Sequence, residues 1–229
     1  IGGTNYKIEI IKGDTESDAS KATEVATKLC TQDKVDILIG EWTPDTCNPV
    51  SAVAEKYGVP CFVDGAPDTS WTSAGPYEVS FGFLFNYQYQ IDSYFDYFDS
   101  LDTNKKIGVV LDKSIDGIGM LELAIATAKE RGYEIVNPST NDLADEGATD
   151  FTTIIQTIKD ANCDILLSSL LGFQLSGMWN NVQDLGYKPK AVILSKGMHF
   201  GADILTLQNS AGECTAYNTC TECQWTYQY

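Results

Sequence analysis

The sequence holds a single histidine, His199, and only 15 lysine and arginine residues against 32 aspartate and glutamate residues, a formal charge of −17. With one imidazole and no Gly-x-Ser-x-Gly elbow, the chain lacks the usual means of activating a serine, which argues against a hydrolase triad. The shortage of cations argues against binding nucleic acid or an anionic membrane surface, and a surface of this sign serves solubility. No apolar run approaches the roughly 18 residues needed to span a bilayer, so no direct membrane insertion is expected. No signal peptide opens the sequence, although the chain begins at Ile1 rather than Met, as a processed or trimmed piece would.

Phosphate and dinucleotide motifs are missing as well. There is no Gly-x-x-x-x-Gly-Lys cradle, and Asp116-Gly117-Ile118-Gly119 lacks the third glycine of the dinucleotide fingerprint, being followed by Met120, Leu121 and Glu122. That stretch reads as a tight turn into a helix. The carboxylates show no paired spacing favouring acid–base work over solvation, so no enzyme and no cofactor are expected. Of the seven cysteines, Cys30, Cys61 and Cys163 lie in or beside apolar stretches and read as inert buried thiols. Cys214, Cys220 and Cys223 cluster near the end without the second half of a zinc site, so no metal is expected there; a local disulfide and free thiols both remain open.

Apolar content of 43% with 21% charged residues, over 229 positions, describes a globular chain able to form two domains of about 100 residues. Its organising stretch is Val35 to Tyr57. Val35 to Ile39 reads as a strand buried on both faces, and Val50, Val53, Ala54 and Tyr57 recur as one helical stripe ending at Gly58. Strands are also expected at Tyr6 to Lys12, Pro60 to Val63 and Tyr77 to Phe83, with helical stripes at Ala22 to Leu29 and Ile91 to Phe98. Past a polar break at 102–106 the pattern repeats. Strands fall at Ile107 to Leu111, Glu134 to Val136, Cys163 to Ser168 and Ala191 to Leu194. Helices carry Leu121 to Ala128, Phe151 to Ile158 with Asp150 as N-cap, and Leu175 to Val182. Cys163-Asp-Ile-Leu-Leu-Ser168 echoes Val35-Asp-Ile-Leu-Ile-Gly40.

Two β-α-β series predict an α/β protein of two Rossmann-like lobes, each a parallel sheet with helices on both faces and a ligand cleft between them. The expected division is an incomplete lobe 1 at 1–103 and lobe 2 at 104–222; the start of a crossover back to lobe 1 at 223–229 is what a family resemblance implies. Ligands of open parallel sheets bind at the carboxyl ends of strands. The side chains at such ends are Trp42, Thr43, Asp45, Trp71, Phe83, Phe85, Asn86, Asp116, Leu171, Phe173, Lys196 and His199. Any one of these aromatics is as readily core; as a set at several strand ends they outline a pocket with an aromatic floor.

Four segments resemble the branched-chain-amino-acid type of periplasmic binding protein, the solute receptors of ABC importers. They are Asp-Lys-Val-Asp-Ile-Leu-Ile-Gly from Asp33, Val-Ala-Glu-Lys-Tyr-Gly-Val-Pro from Val53, Lys-Lys-Ile-Gly-Val-Val-Leu-Asp from Lys105 and Gly-Ala-Thr-Asp-Phe-Thr from Gly147. The family pattern has a further strand and helix before Ile1 and segments after Tyr229, so the chain resembles the middle of a longer binding protein. The resemblance implies a non-enzymatic, extracytoplasmic receptor, periplasmic or lipid-anchored, with a small-molecule ligand and a membrane permease as partners. The sensor domain of a receptor kinase or chemoreceptor is the alternative on the same fold.

Position by position, the resemblance places the family's ligand-carboxylate loop at Thr43, Pro44, Asp45 and Thr46, beside Trp42. Its Ala-Thr pair falls at Ala66 and Pro67, after Gly65, so a hydroxyl is lost. A second-lobe tyrosine falls at Asp116, and the acid that pairs with a ligand ammonium falls at Lys196. An ammonium there disfavours an ordinary amino acid and favours a small carboxylate with an aromatic or apolar body, branched-chain or other amino acids being the alternative. Lys196-Gly-Met-His-Phe also resembles a Lys-Gly-Leu-x-Phe segment of relatives associated with aromatic or other organic acids. Trp42, Trp71, Leu171 and Phe173 complete the expected ligand wall.

Overall fold

The computed structural model describes residues 2–40, 43–66, 71–83, 86–170, 172–196 and Leu207. The chain forms two compact units, Ile1–Tyr87 and Gln88–Tyr229.

In the first unit, β1 (Leu38–Ile39), β2 (Cys61–Val63) and β3 (Ser80–Gly82) pair in parallel in that order. Leu38 stands opposite Cys61, and Cys61 opposite Ser80. The helices α1 (Ala19–Thr31) and α2 (Pro44–Tyr57) bury Ala22, Ala26, Val50, Val53 and Ala54 with Leu38, Cys61 and Val63. Asp18 caps α1 by accepting the Lys21 N–H at 2.8 Å, and α2 ends where Gly58 turns left-handed at φ 67°. Tyr57, placed on the buried stripe by its spacing, is exposed at the last turn. The opposite sheet face carries Ile37, Ile39, Phe81 and Phe83, all exposed, with Phe62 stacked on Phe81 at 5.5 Å and on Phe83 at 5.7 Å.

The strand expected at Tyr6 to Lys12 does not form; residues 4–15 lack regular structure, and Tyr6, Ile8, Ile10 and Ile11 are exposed. Alternation supplies a face but no partner, and a strand exists only when its N–H and C=O groups find a neighbouring ladder.

The second unit has a four-stranded parallel sheet in the order β5-β4-β6-β7, from β4 (Lys106–Val110), β5 (Glu134–Ile135), β6 (Ile165–Ser168) and β7 (Ala191–Leu194). Side chains alternate across it. Ile107, Val109, Leu111, Ile165 and Leu167 pack with α3 (Tyr87–Asp99) and α4 (Ile115–Arg131). Val110, Leu166, Val192 and Leu194 pack on the other face with α5 (Thr152–Asp160) and α6 (Gly172–Asp184). Gly108 lets α5 approach closely, because a Cβ there would collide with Ile158. Where β5 stops, the Asn137 side chain continues its ladder, donating to Val109 O at 2.6 Å and accepting from Val109 N at 3.0 Å. Asp150 sits one residue before the N-cap position of α5 but still accepts the Thr152 N–H at 2.9 Å.

The change of core comes earlier in the chain than the polar break at 102–106. Ile91, Phe95 and Phe98 of α3 are fully buried among second-unit residues, and Arg131 at the end of α4 pairs with Asp92, Asp96 and Asp99. Polarity marks where the chain is exposed, whereas the core a helix joins depends on which sheet its stripe meets.

In the first unit, α2 also holds the edge strand. The half-buried Glu55 carboxylate accepts the N–H groups of Glu78 and Val79, each at 2.9 Å, just ahead of β3. Burial pushes this carboxyl up, but the N–H donors of Glu78 and Val79, with Ser80, outweigh it and hold Glu55 below its ordinary value. A carboxyl lowered on folding contributes stability above its unfolded pKa and loses it as pH falls through the folded value. Glu55→Ala is expected to cost about 1 kcal/mol at neutral pH, after discounting for solvent, and the difference from wild type should shrink as pH falls below about 4.5. Urea titrations at pH 7 and pH 3.5 measure both.

Candidate functional site

The carboxyl end of the first sheet gathers Thr43, Thr46, Gly65 and Ala66. Thr43 N donates to Gly65 O at 3.1 Å, tying the loop before α2 to the loop after β2. Thr46 is buried, and its hydroxyl lies 3.3 Å from that of Thr43. Thr43 adopts φ 107°, a sparsely populated region for a β-branched residue, with no side-chain bond capping α2. Asp45 points to solvent in the first turn of α2. Trp42, the other wall residue of this loop, lies outside the described residues, as does Pro67.

Trp71 packs against the first-unit core, donates its indole N–H to Ser51 Oγ at 3.2 Å, and stacks on Tyr77 with centroids 4.5 Å apart. It lines an open groove of about 560 Å³ with Phe62, Tyr77, Phe81 and Phe83. These contacts give the indole a packing role in the folded unit. Trp71→Ala should therefore lower stability by about 2 kcal/mol, since the side chain is half-buried and a fully buried tryptophan costs about 3–5. A chemical denaturation curve followed by far-UV circular dichroism checks this.

At the carboxyl end of the second sheet, the chain leaving β4 turns through Asp112 and Ser114 into α4. Ser114 caps the helix by accepting the Gly117 N–H at 3.1 Å, and its own hydroxyl donates to Asp112 Oδ1. A Cβ on Gly117 would strike the Asp112 carbonyl oxygen, so the Asp116-Gly117 step serves close approach in a tight turn. Asp116 thereby stands in the first turn of α4, and Lys196, two residues beyond β7, reaches it. Lys196 Nζ lies 2.8 Å from Asp116 Oδ2, with side-chain exposures of 19% and 11%.

Ser195, beside Lys196, is held from α3. Tyr94 Oη lies 2.7 Å from Ser195 Oγ, and Gln90 Nε2 donates to the same oxygen at 3.3 Å. Burial pushes the Tyr94 phenol up to about 12, against the opposing bond to Ser195, so it stays protonated. Ser168 ends β6 and accepts the Ser195 N–H on its carbonyl at 2.8 Å. The Ser168 and Ser169 hydroxyls, Gln90 Oε1 and Asp116 Oδ1 are buried with no hydrogen-bond partner among the described residues.

The fold thus brings Asp116 and Lys196 into direct contact. It also adds Ser168, Ser169, Ser195, Gln90 and Tyr94, which sequence reasoning passed over. The serine pair directly after a buried apolar strand was the available signal. Leu171 and the Phe173 side chain lie outside the described residues, as do His199 and the cysteines from Cys214 on. Among the described residues no group of three potential ligands holds a metal-binding arrangement.

Parallel sheets with polar side chains at their carboxyl ends, in two units of one chain, define a two-lobed α/β binding fold. The family model described as periplasmic binding protein matches residues 1–223, and the chain belongs to that family. An amino acid binding protein of Pseudomonas aeruginosa is 24% identical over 166 residues, covering 72% of this chain and 43% of that protein. A solute binding protein of an ABC transporter from R. palustris, solved with 4-hydroxybenzoate, superposes with a TM-score of 0.65 at 21% identity, covering 76% of this chain and 47% of that one. The branched-chain amino acid transporter substrate binding protein LivJ from Streptococcus pneumoniae, solved with isoleucine, gives a TM-score of 0.64 at 24% identity, covering 80% and 51%. The chain spans about half the length of the relatives it matches.

Proposed function

We propose that this chain belongs to an extracytoplasmic solute-binding protein of an ABC importer, and that it captures a small carboxylate-bearing solute with an aromatic or apolar body. The observation that carries the reading is Lys196, a largely buried cation at the carboxyl end of β7 in a member of the periplasmic binding protein family. Relatives of this fold solved with 4-hydroxybenzoate and with isoleucine support a carboxylate as the shared feature of the ligand. The partner implied is a membrane permease, and the location is periplasmic or lipid-anchored at the cell surface. Among the described residues no helix is long and apolar enough to cross a membrane.

A formal charge of −17 opposes an anionic ligand at long range. That field is screened beyond about 8 Å at physiological salt, so the groups touching the ligand decide its sign. Thr43 and Thr46, with Gly65 and Ala66, are the first-unit residues assigned to the ligand, and Asp116 and Lys196 those of the second.

A thermal-shift screen of the full chain with isoleucine, benzoate, 4-hydroxybenzoate and short aliphatic acids tests the reading. A specific ligand at about 100 times its Kd should add roughly 2.7 kcal/mol of stability. Lys196→Met keeps the stem and removes the charge, and should weaken the acid found by about tenfold or more in calorimetric titration. Unchanged affinity in that variant removes Lys196 from the site.

A further inference from the structure

Five aromatic rings line the open groove of the first unit, those of Phe62, Trp71, Tyr77, Phe81 and Phe83. Its volume of about 560 Å³ falls within the roughly 300–1,000 Å³ of small-molecule pockets. The rings stand on both sides of β3. Phe62 lies opposite Phe81 in the ladder, so the two share one sheet face, whereas a Cβ on Gly82 would meet the Trp71 ring at 3.0 Å on the other. One wall is braced by the stack of Trp71 on Tyr77, and the other by Phe62 with Phe81 and Phe83. Phe81 and Phe83 are 48% and 68% exposed, which leaves ring surface free for a ligand.

The charge of the groove has one sign. Among the described lining residues Glu78 is the one charged side chain. Its backbone is fixed, since its N–H donates to the Glu55 carboxylate at 2.9 Å, while its own side chain is exposed. Elsewhere in the chain a lysine lies over an aromatic ring, Lys56 at 5.1 Å from Tyr57 and Lys105 at 4.8 Å from Tyr133. The groove rings hold no such cation among the described residues.

Aromatic faces carry negative charge density and attract a cation placed over them. A carboxylate in this groove would meet Glu78 with no cation to offset it. A neutral apolar body gains burial but nothing from the acid, and a small inorganic cation would give up its water for rings that replace it poorly. A weakly hydrated organic cation gains from rings and acid together. We propose that the groove binds an organic cation of the quaternary-ammonium class, with its N-methyl groups against the aromatic faces and its charge balanced by Glu78. The formal charge of −17 raises the local concentration of such a ligand.

Choline and 3,3-dimethyl-1-butanol share one shape and differ by nitrogen for carbon, hence by the charge alone. A proton NMR titration of the 229-residue chain follows the methyl signal of each. Choline should bind with a Kd of about 10 mM or below, about tenfold or more tightly than the alcohol, its methyl signal moving upfield as the rings shield it. Phe83→Leu keeps an apolar side chain at an exposed position and removes the ring, and should weaken choline by about fivefold and the alcohol by about twofold or less. Glu78→Gln keeps the backbone bond to Glu55 and should weaken choline by about threefold with the alcohol unchanged. Melting curves of both variants check that the fold is kept. Equal affinity for the two probes, a choline Kd above about 10 mM, or unchanged choline affinity in either variant overturns the inference. Neither probe carries a carboxylate, so each of these outcomes leaves the reading of Lys196 standing.

Discussion

Burial of β4 and β6 on both faces is the constraint from which the rest of the second unit follows. Ile107, Val109 and Val110 of β4 and all four residues of β6 are at most 1% exposed, so side chains above and below the sheet must be apolar or satisfied within it. Helices are forced onto both faces, and polar groups are forced out to the strand ends. Asp112, Ser168, Ser169, Ser195 and Lys196 all occur within two residues of the end of a strand. The polar edge is thus a consequence of how the core is closed.

Magnitudes place the stability in that core. A fully buried large apolar side chain contributes about 1.5–3 kcal/mol, and Trp179, Phe95, Phe98 and Phe151 are among many such groups in this unit. Exposed ion pairs contribute about 0–1 kcal/mol, so α3 and α4 are held together by the apolar residues they share in the core more than by the ion pairs of Arg131. Lys196 and Asp116 differ from those surface pairs because both are largely buried. Removing one partner of such a pair strands the other charge.

The first unit obeys the same rule incompletely. One sheet face is sealed by α1 and α2, while among the described residues Ile37, Ile39, Phe81 and Phe83 remain exposed on the other. The aromatic stack of Phe62, Phe81 and Phe83 gives these rings partial shelter from each other. At its candidate ligand edge Thr43 takes an unusual φ, its N–H donates to Gly65 O, and its hydroxyl lies beside that of Thr46.

Helix stops were legible from sequence alone, because Gly58, Gly132 and Gly186 turn left-handed where the apolar stripes end. So were the central strands, since an uninterrupted apolar run such as Ile165 to Leu167 has few ways to be buried. The placing of Lys196 at a strand end was legible for the same reason, as it lies just past the buried strand β7, and Asp116 opens the helix that follows β4. Only the tertiary structure decided that the two meet, because the order β4-β6-β7 that lines up their strands depends on pairing Ile107 with Ile165 and Ile165 with Ala191. It likewise decided that α3 belongs to the second core, and that Tyr6 to Lys12 finds no strand to pair with. Local pattern determines what a segment must bury, and long-range packing determines against what.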